Sequence, residues 1–180
     1  MPSITSLLDT TAIGRTLVRM ASEIVEKGGG AEGLVLVGIQ RRGVELAERL
    51  AQQIEQTEKA KLLRGKLDIT LYRDDLQGVP APVVGATELN HDLTGKTVVI
   101  VDDVLYTGRT IRAALDELAE FGRPKRILLA VLVDRGGREL PIQPDIAGVV
   151  VTVPRGQTVK VSVRERDGQD AVELVPKAAS

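Results

Sequence analysis

Val98-Val99-Ile100-Val101-Asp102-Asp103-Val104-Leu105-Tyr106-Thr107-Gly108-Arg109-Thr110 opens as an unbroken apolar run, meets two adjacent carboxylates, and turns through Thr-Gly-Arg-Thr. An apolar run without alternation suits a strand buried on both faces, as in parallel sheets. Beyond the turn, Ile111, Ala114, Leu115 and Leu118 recur at the spacing of one helix face over residues 109–121, and Gly122 and Pro124 stop it. Strand, turn and helix in this order predict a βα unit, and ligands of open α/β sheets bind outside the carboxyl ends of such strands.

The flanking chain repeats the theme. Residues 34–37 are a second apolar run, between a helix predicted over 12–27 (Ile13, Leu17, Met20, Ile24) and another over 43–56 (Ala47, Leu50, Ala51, Ile54). Asp9, Thr10 or Thr11 can cap the first helix, and Gly28-Gly29-Gly30 ends it. Leu67, Ile69 and Leu71 alternate like a strand over 67–72; further strands are predicted at 127–133, 149–153, 159–163 and 171–175. The expected fold class is α/β, a mainly parallel twisted sheet with helices on both faces. The β-rich last third predicts an antiparallel edge and a small β-rich tail. The polar stretch from Arg73 to Asp92 is long for a connection and is expected to move. With no repeat or linker, residues 1–180 are expected to form one domain.

Composition narrows the partners. Lys and Arg number 24 against 25 Asp and Glu, a net charge of -1, so a uniformly basic nucleic-acid coat is excluded. Tyr72, Tyr106 and Phe121 are the aromatic residues, too few for a stacking platform. Absence of cysteine removes thiolate and cysteine–zinc chemistry, and a single histidine, His91, builds no histidine-rich site; any metal falls to oxygen ligands. The N-terminus has no signal-like run and no apolar stretch reaches the length of a membrane span, so a cytoplasmic protein without membrane partner is expected.

The chemistry lies in the opening stretch. Thr107 to Thr110 present N–H groups and two hydroxyls at a helix N-terminus, which favours an anion such as phosphate. Asp102 and Asp103 cannot bind that phosphate; they suit a neighbouring group that donates hydrogen bonds, such as sugar hydroxyls. Cradle and dyad together read as a ribose-5-phosphate site. Gly38-Ile39-Gln40-Arg41-Arg42-Gly43 follows the first buried strand, falls at the same sheet edge, and offers two guanidiniums for a pyrophosphate. Gly28-Gly29-Gly30-Ala31-Glu32-Gly33 matches a dinucleotide fingerprint by letter but precedes its strand, which excludes that use.

Residues 98–110 resemble the signature that binds 5-phosphoribosyl 1-diphosphate in type I phosphoribosyltransferases, with Asp102, Asp103, Val104, Leu105, Tyr106, Thr107, Gly108, Arg109 and Thr110 as the ribose-5-phosphate group. Gln40, Arg41 and Arg42 resemble that family's pyrophosphate loop, which implies a non-proline cis peptide near Gln40-Arg41. Residues 67–76 and 131–142 narrow the likeness to a family of pyrimidine-operon regulators that are also uracil phosphoribosyltransferases, over about Ile13 to Ile142. That resemblance implies the type I fold with a β-rich hood, magnesium carried mainly by the substrate's pyrophosphate, UMP-responsive binding to leader RNA, and homodimers or homotetramers. It implies Arg73 as catalytic with Asp74 in a flexible loop, and Asp134 and Arg135 facing the base. For RNA, Arg15 and Arg19 share one helix face, and Arg135 and Arg138 add to the patch if the fold brings them close; the other reading is a solvated face with Arg19 paired to Glu23. The family usually carries histidine where Ser22 and Gly137 stand here. A phosphoribosyltransferase for another nucleobase, without RNA binding, is the alternative function.

Overall fold

Why these residues fold as they do is clearest in the two-sided burial of the strands. The computed structural model describes residues 3–69 and 87–179. In chain order the elements are β1 (Thr5–Leu8), α1 (Thr10–Gly28), β2 (Leu34–Ile39), α2 (Arg42–Glu58), β3 (Leu63–Leu67), β4 (Thr97–Leu105), α3 (Arg109–Leu118), β5 (Arg126–Asp134), β6 (Ile146–Val150), β7 (Gln157–Ser162), α4 (Arg164–Asp167) and β8 (Ala171–Pro176). Five strands form a sheet in the order β3-β2-β4-β5-β6, with every pairing parallel.

Successive strand residues feed two cores. Leu34, Leu36, Val99 and Val101 pack under α1 and α2 with Ile13, Met20, Ile24, Leu46, Leu50 and Ile54. Val35, Val37, Val98 and Ile100 pack against Ile111, Ala114 and Leu118 of α3 on the other face. The continuous apolar runs follow from this: no strand position in the sheet's centre faces water. Each fully buried aliphatic side chain contributes about 1.5–3 kcal/mol.

Asp9 caps α1, its carboxylate accepting from Ala12 N at 2.8 Å. Leu115 departs from expectation; it is 36% exposed, while Ile111, Ala114 and Leu118 carry the buried stripe. β3 begins at Leu63, four residues before the predicted start, because Leu63 to Leu67 pair with Val35 to Ile39; the strand predicted over 67–72 ends, within the described residues, at Leu67. Arg73, Asp74 and Asp75 lie outside the described residues.

The last third is also corrected. The edge strand β6 is parallel to β5, and the antiparallel strands form a separate sheet, β1-β8-β7, in which the N-terminal strand pairs with β8. Sequence reading left residues 5–8 unassigned, because a four-residue strand without alternation carries no periodic signal. This small hood sheet is tied to α2 by charge. Arg49 pairs with Glu165 at 2.6 Å and with Asp170 at 2.8 Å, and Arg166 pairs with Glu45 at 2.9 Å. The hydrogen bond with Glu165 leads the causes that raise the Arg49 pKa, and the same bond holds Glu165 below the usual carboxylate range. Burial opposes ionisation of Asp170, but hydrogen bonds from Arg49 and the Arg164 N–H outweigh it, and its pKa is lowered.

No helix among the described residues is long and apolar enough to cross a membrane.

Candidate functional site

The strand order places a topological switch at β2 and β4: from β2 the chain passes through α2 to β3 on one side, and β4 returns on the other. Their carboxyl ends therefore flank a crevice. The approach is close. A Cβ on Gly43, in the first turn of α2, would fall 2.5 Å from the Val101 carbonyl oxygen and 3.3 Å from Asp102 Cα, so no other residue allows this helix to start against the dyad. The Gln40–Arg41 peptide is cis, as the resemblance implies.

Asp102 and Asp103 are 3% and 6% exposed. They lie within β4 itself, which continues to Leu105 and so runs past the end at Val101 that the apolar run predicts. Asp102 Oδ1 accepts from Asp103 N at 2.8 Å and Asp103 Oδ1 from Val104 N at 2.9 Å, which fixes both carboxyl groups on the backbone. Both line a cavity of about 610 Å³ together with Arg42, Val104, Leu105, Tyr106, Gly108, Thr110 and Arg135.

The turn into α3 is held from outside. Gly108, at φ 95°, is the N-cap of α3. Thr107 is 5% exposed; its hydroxyl accepts from Arg109 N at 3.3 Å, and its carbonyl accepts from Glu139 N at 2.9 Å and Leu140 N at 3.2 Å. Thr107 thus shapes the cradle, and Arg109 pairs with Glu139 at 2.8 Å on the exposed side. Of the β2–α2 connection, Arg42 reaches the cavity wall and Arg41 is exposed.

Arg135 lies at the end of β5, with its N–H donating to the Leu105 carbonyl at 3.1 Å. Its guanidinium sits 3.9 Å from the centroid of the Tyr106 ring and donates to Thr158 Oγ1 at 3.2 Å. Its Nε is buried with no hydrogen-bond partner, a cost to the fold that the stacking on Tyr106 and the bond to Thr158 accompany. Asp134 lines a second cavity of about 490 Å³, which Arg135 also borders, accepts from Gly136 N at 3.0 Å, and pairs with Arg138 at 2.8 Å.

Arg138 is likewise an internal strut. It donates to the carbonyls of Ile142 (2.7 Å) and Tyr106 (2.9 Å) and to Gln143 Oε1 (3.3 Å). On α1, Arg19 pairs with Glu23 at 2.6 Å and donates to the Gly148 carbonyl, the solvated-face pairing foreseen, with an added tie to β6. Arg15 is exposed. His91 lines neither cavity.

Sequence reading missed the hood's contribution. Thr158, Lys160, Arg155 and Lys177 line the main cavity. The alternation of Thr158, Lys160 and Ser162 along β7 marks a strand with a polar face, but nothing local states that this face closes over β4.

Among the described residues, no group of three or more His, Asp or Glu side chains is placed to hold a metal ion. Asp102 and Asp103 supply hard oxygen donors at the cavity wall, which suits a magnesium ion that brings most of its ligands with a phosphorylated substrate.

The phosphoribosyl transferase domain family matches residues 3–172. The chain is 56% identical over 169 residues to the bifunctional protein PyrR of Thermus thermophilus, covering 93% of each chain. It is 54% identical over 175 residues to that of Chloroflexus aurantiacus, covering 97% of this chain and 96% of the relative. Among solved structures, the purine phosphoribosyltransferase of Pyrococcus horikoshii aligns at a TM-score of 0.62 and 27% identity, over 81% of this chain and 85% of that one. The hypoxanthine phosphoribosyltransferase of Trypanosoma cruzi shares the fold at a TM-score of 0.72 and 19% identity, over 96% and 97%. With a carboxylate dyad, the turn into α3 and an arginine-bearing connection converging on one cavity, and relatives of this identity along nearly all its length, the chain is a phosphoribosyltransferase and belongs to the PyrR family.

Proposed function

We propose that this protein, acting as one phosphoribosyltransferase domain, joins uracil to the ribose of 5-phosphoribosyl 1-diphosphate, giving UMP and diphosphate, and that it regulates pyrimidine operons through UMP-responsive binding of leader RNA. The observation that carries the enzymatic part is the convergence of Arg42, Asp102, Asp103 and the turn before α3 on one cavity.

In this reading the 5′-phosphate sits on the N–H groups of residues 107–110, where the α3 dipole favours it. Asp102 and Asp103 accept from the ribose hydroxyls and stabilise positive charge on the sugar as the C1′–O bond breaks. Arg41 and Arg42 receive the diphosphate, and a ring nitrogen of uracil, losing its proton, bonds to C1′. Arg135, in the cavity wall, supplies donors to the carbonyl edge of the base. Asp102 and Asp103 are the residues that would face a magnesium ion brought in with the substrate, and such an ion would supply charge neutralisation on the diphosphate.

For the regulatory part, Arg15 and Arg19 on the exposed face of α1 are the phosphate contacts, in a cytoplasmic homodimer or homotetramer. Near-neutral net charge is compatible with such a local patch.

Two measurements test this. Release of diphosphate from the donor with uracil, against guanine and hypoxanthine, is expected for uracil; turnover of a purine alone sinks the base assignment and favours the metabolic alternative. A gel shift with the cognate pyrimidine-operon leader is expected to respond to UMP. Absence of a UMP-dependent shift at low salt refutes the regulatory reading.

A further inference from the structure

Arg42 stands in the wall of the main cavity, and its guanidinium is gripped by a residue from another layer. Nε donates to Asp167 Oδ2 at 3.1 Å and Nη2 to Asp167 Oδ1 at 3.0 Å. This is the side-on bidentate geometry that fixes the plane of a guanidinium. Asp167 is itself anchored: its Oδ2 accepts from Val163 N at 2.8 Å. The hydrogen bond from Arg42 holds its carboxyl below the ordinary aspartate range, so it stays an anion at neutral pH.

Independent contacts keep α4 where it is. Glu45 and Arg49 follow Arg42 at i+3 and i+7, on one stripe of α2, and pair with Arg166 and with Glu165 and Asp170. Asp167 is therefore a fixed acceptor, held at the cavity by a ladder of pairs that does not need Arg42.

We propose that Asp167 is a positioning residue for donor binding: it holds the Arg42 guanidinium at the cavity wall in the orientation that receives the diphosphate. This rests on the reading of Arg42 as a diphosphate ligand. A guanidinium carries five N–H donors in a rigid fork, so a carboxylate on the Nε–Nη2 edge leaves its plane set for a second oxyanion. An arginine without such a grip loses rotamer freedom on meeting its ligand; here that ordering is already done in the folded chain. The role is distinct from competition, in which Asp167 would keep the guanidinium from the donor, and the two differ in sign.

The test is steady-state kinetics on the purified full chain, with inhibition by inorganic diphosphate as the binding readout. Asp167→Asn is expected to raise both the KM for the donor and the inhibition constant of diphosphate by about tenfold, with the KM for uracil and kcat at saturating donor within about twofold. Asp167→Glu should recover part of the loss. Arg166→Gln removes one rung of the ladder without touching Arg42, the two Arg49 pairs still hold α4, and the donor parameters should be unchanged; Arg42→Gln combined with Asp167→Asn should be no worse than Arg42→Gln alone. Arg42→Lys keeps the charge but loses the side-on grip, and should show the same donor defect if Asp167→Asn does not fold.

Unchanged donor parameters in Asp167→Asn, tighter donor binding, an equal shift in Arg166→Gln, or wild-type donor binding by Arg42→Lys each overturn the proposal. If Arg42→Gln shifts the donor parameters while Asp167→Asn does not, only the role of Asp167 falls. If Arg42→Gln itself binds donor and diphosphate normally, the diphosphate reading falls with it.

Discussion

The Arg135 guanidinium lies 3.9 Å above the centre of the Tyr106 ring and thereby joins the end of β5 to the turn that precedes α3. The two residues also form a shared wall, since both line the main cavity and the second one. The proposed base and ribose-phosphate subsites are thus mechanically one unit.

Tyr106→Ala should therefore impair the base as well as the donor. A cation–π contact at a partly exposed site is worth about 0.5–2 kcal/mol, which converts to roughly 2- to 30-fold in the KM for uracil, and Tyr106→Phe should keep nearly all of it. An unchanged uracil KM in Tyr106→Ala, measured by initial rates, rejects the coupling.

Gly137 gives the same stack a second control. Its φ is 82°, and a Cβ there would lie 2.5 Å from Tyr106 Cε2. Gly137→Ala should displace the ring and add about 1–2 kcal/mol of left-handed backbone cost, lowering thermal stability and raising the uracil KM together. A crystal structure of the variant with Tyr106 unmoved contradicts this.

Asp102→Asn should leave the fold intact and abolish turnover. The amide oxygen of asparagine can still accept from Asp103 N as Asp102 Oδ1 does, so the melting temperature should change little while turnover is lost. The opposite pattern, retained turnover with a less stable fold, assigns the dyad a structural role.

Arg138→Ala should behave as a stability variant. The side chains of Arg138 and Asp134 are only 13% and 12% exposed, and removal of one partner of a buried pair costs about 3–5 kcal/mol. Chemical denaturation should show that loss. In contrast, Arg15→Ala should leave stability within about 0.5 kcal/mol and reduce the salt dependence of leader binding by about one unit.

Acid should loosen one edge of α2 before the core. The hydrogen bond from Arg64, followed by that from Leu62 N, lowers the Glu55 pKa from the usual 4.5 to about 2. A carboxylate lowered in the folded state stabilises fully above its unfolded value, and that contribution fades as pH falls from about 4.5 towards 2. Arg64→Met should be less stable at neutral pH and flatter across that window; an unaltered pH profile of the urea midpoint refutes the pairing.

Most of the parallel sheet was legible because every central strand is buried on both faces and so reads as an apolar run, and the helices between them kept their stripes except at Leu115. The dyad and the turn after it were legible for the same reason: they adjoin a strand that the pattern locates. What stayed hidden has a common physical cause. The ties of Arg138 to Asp134 and Tyr106, of Arg42 to Asp167, and of Arg135 to Thr158 join residues from different layers, and pairing across layers leaves no periodic trace in the chain. Exposed arginines on a helix or loop look alike in sequence whether they meet solvent, RNA or a carboxylate folded back from the hood.

The pairing of β1 with β8 bears on how the molecule is made. Thr5 meets Leu174 and Leu8 meets Val172, so β1 waits for a partner synthesised more than 160 residues later. The parallel sheet, α1 and α2 can assemble during synthesis, whereas the hood cannot close until residues 171–176 emerge. A chain interrupted shortly before them would expose β1 as an unpaired edge, open to pairing with another nascent copy, and would carry the carboxylate dyad and the turn into α3 with no roof above them.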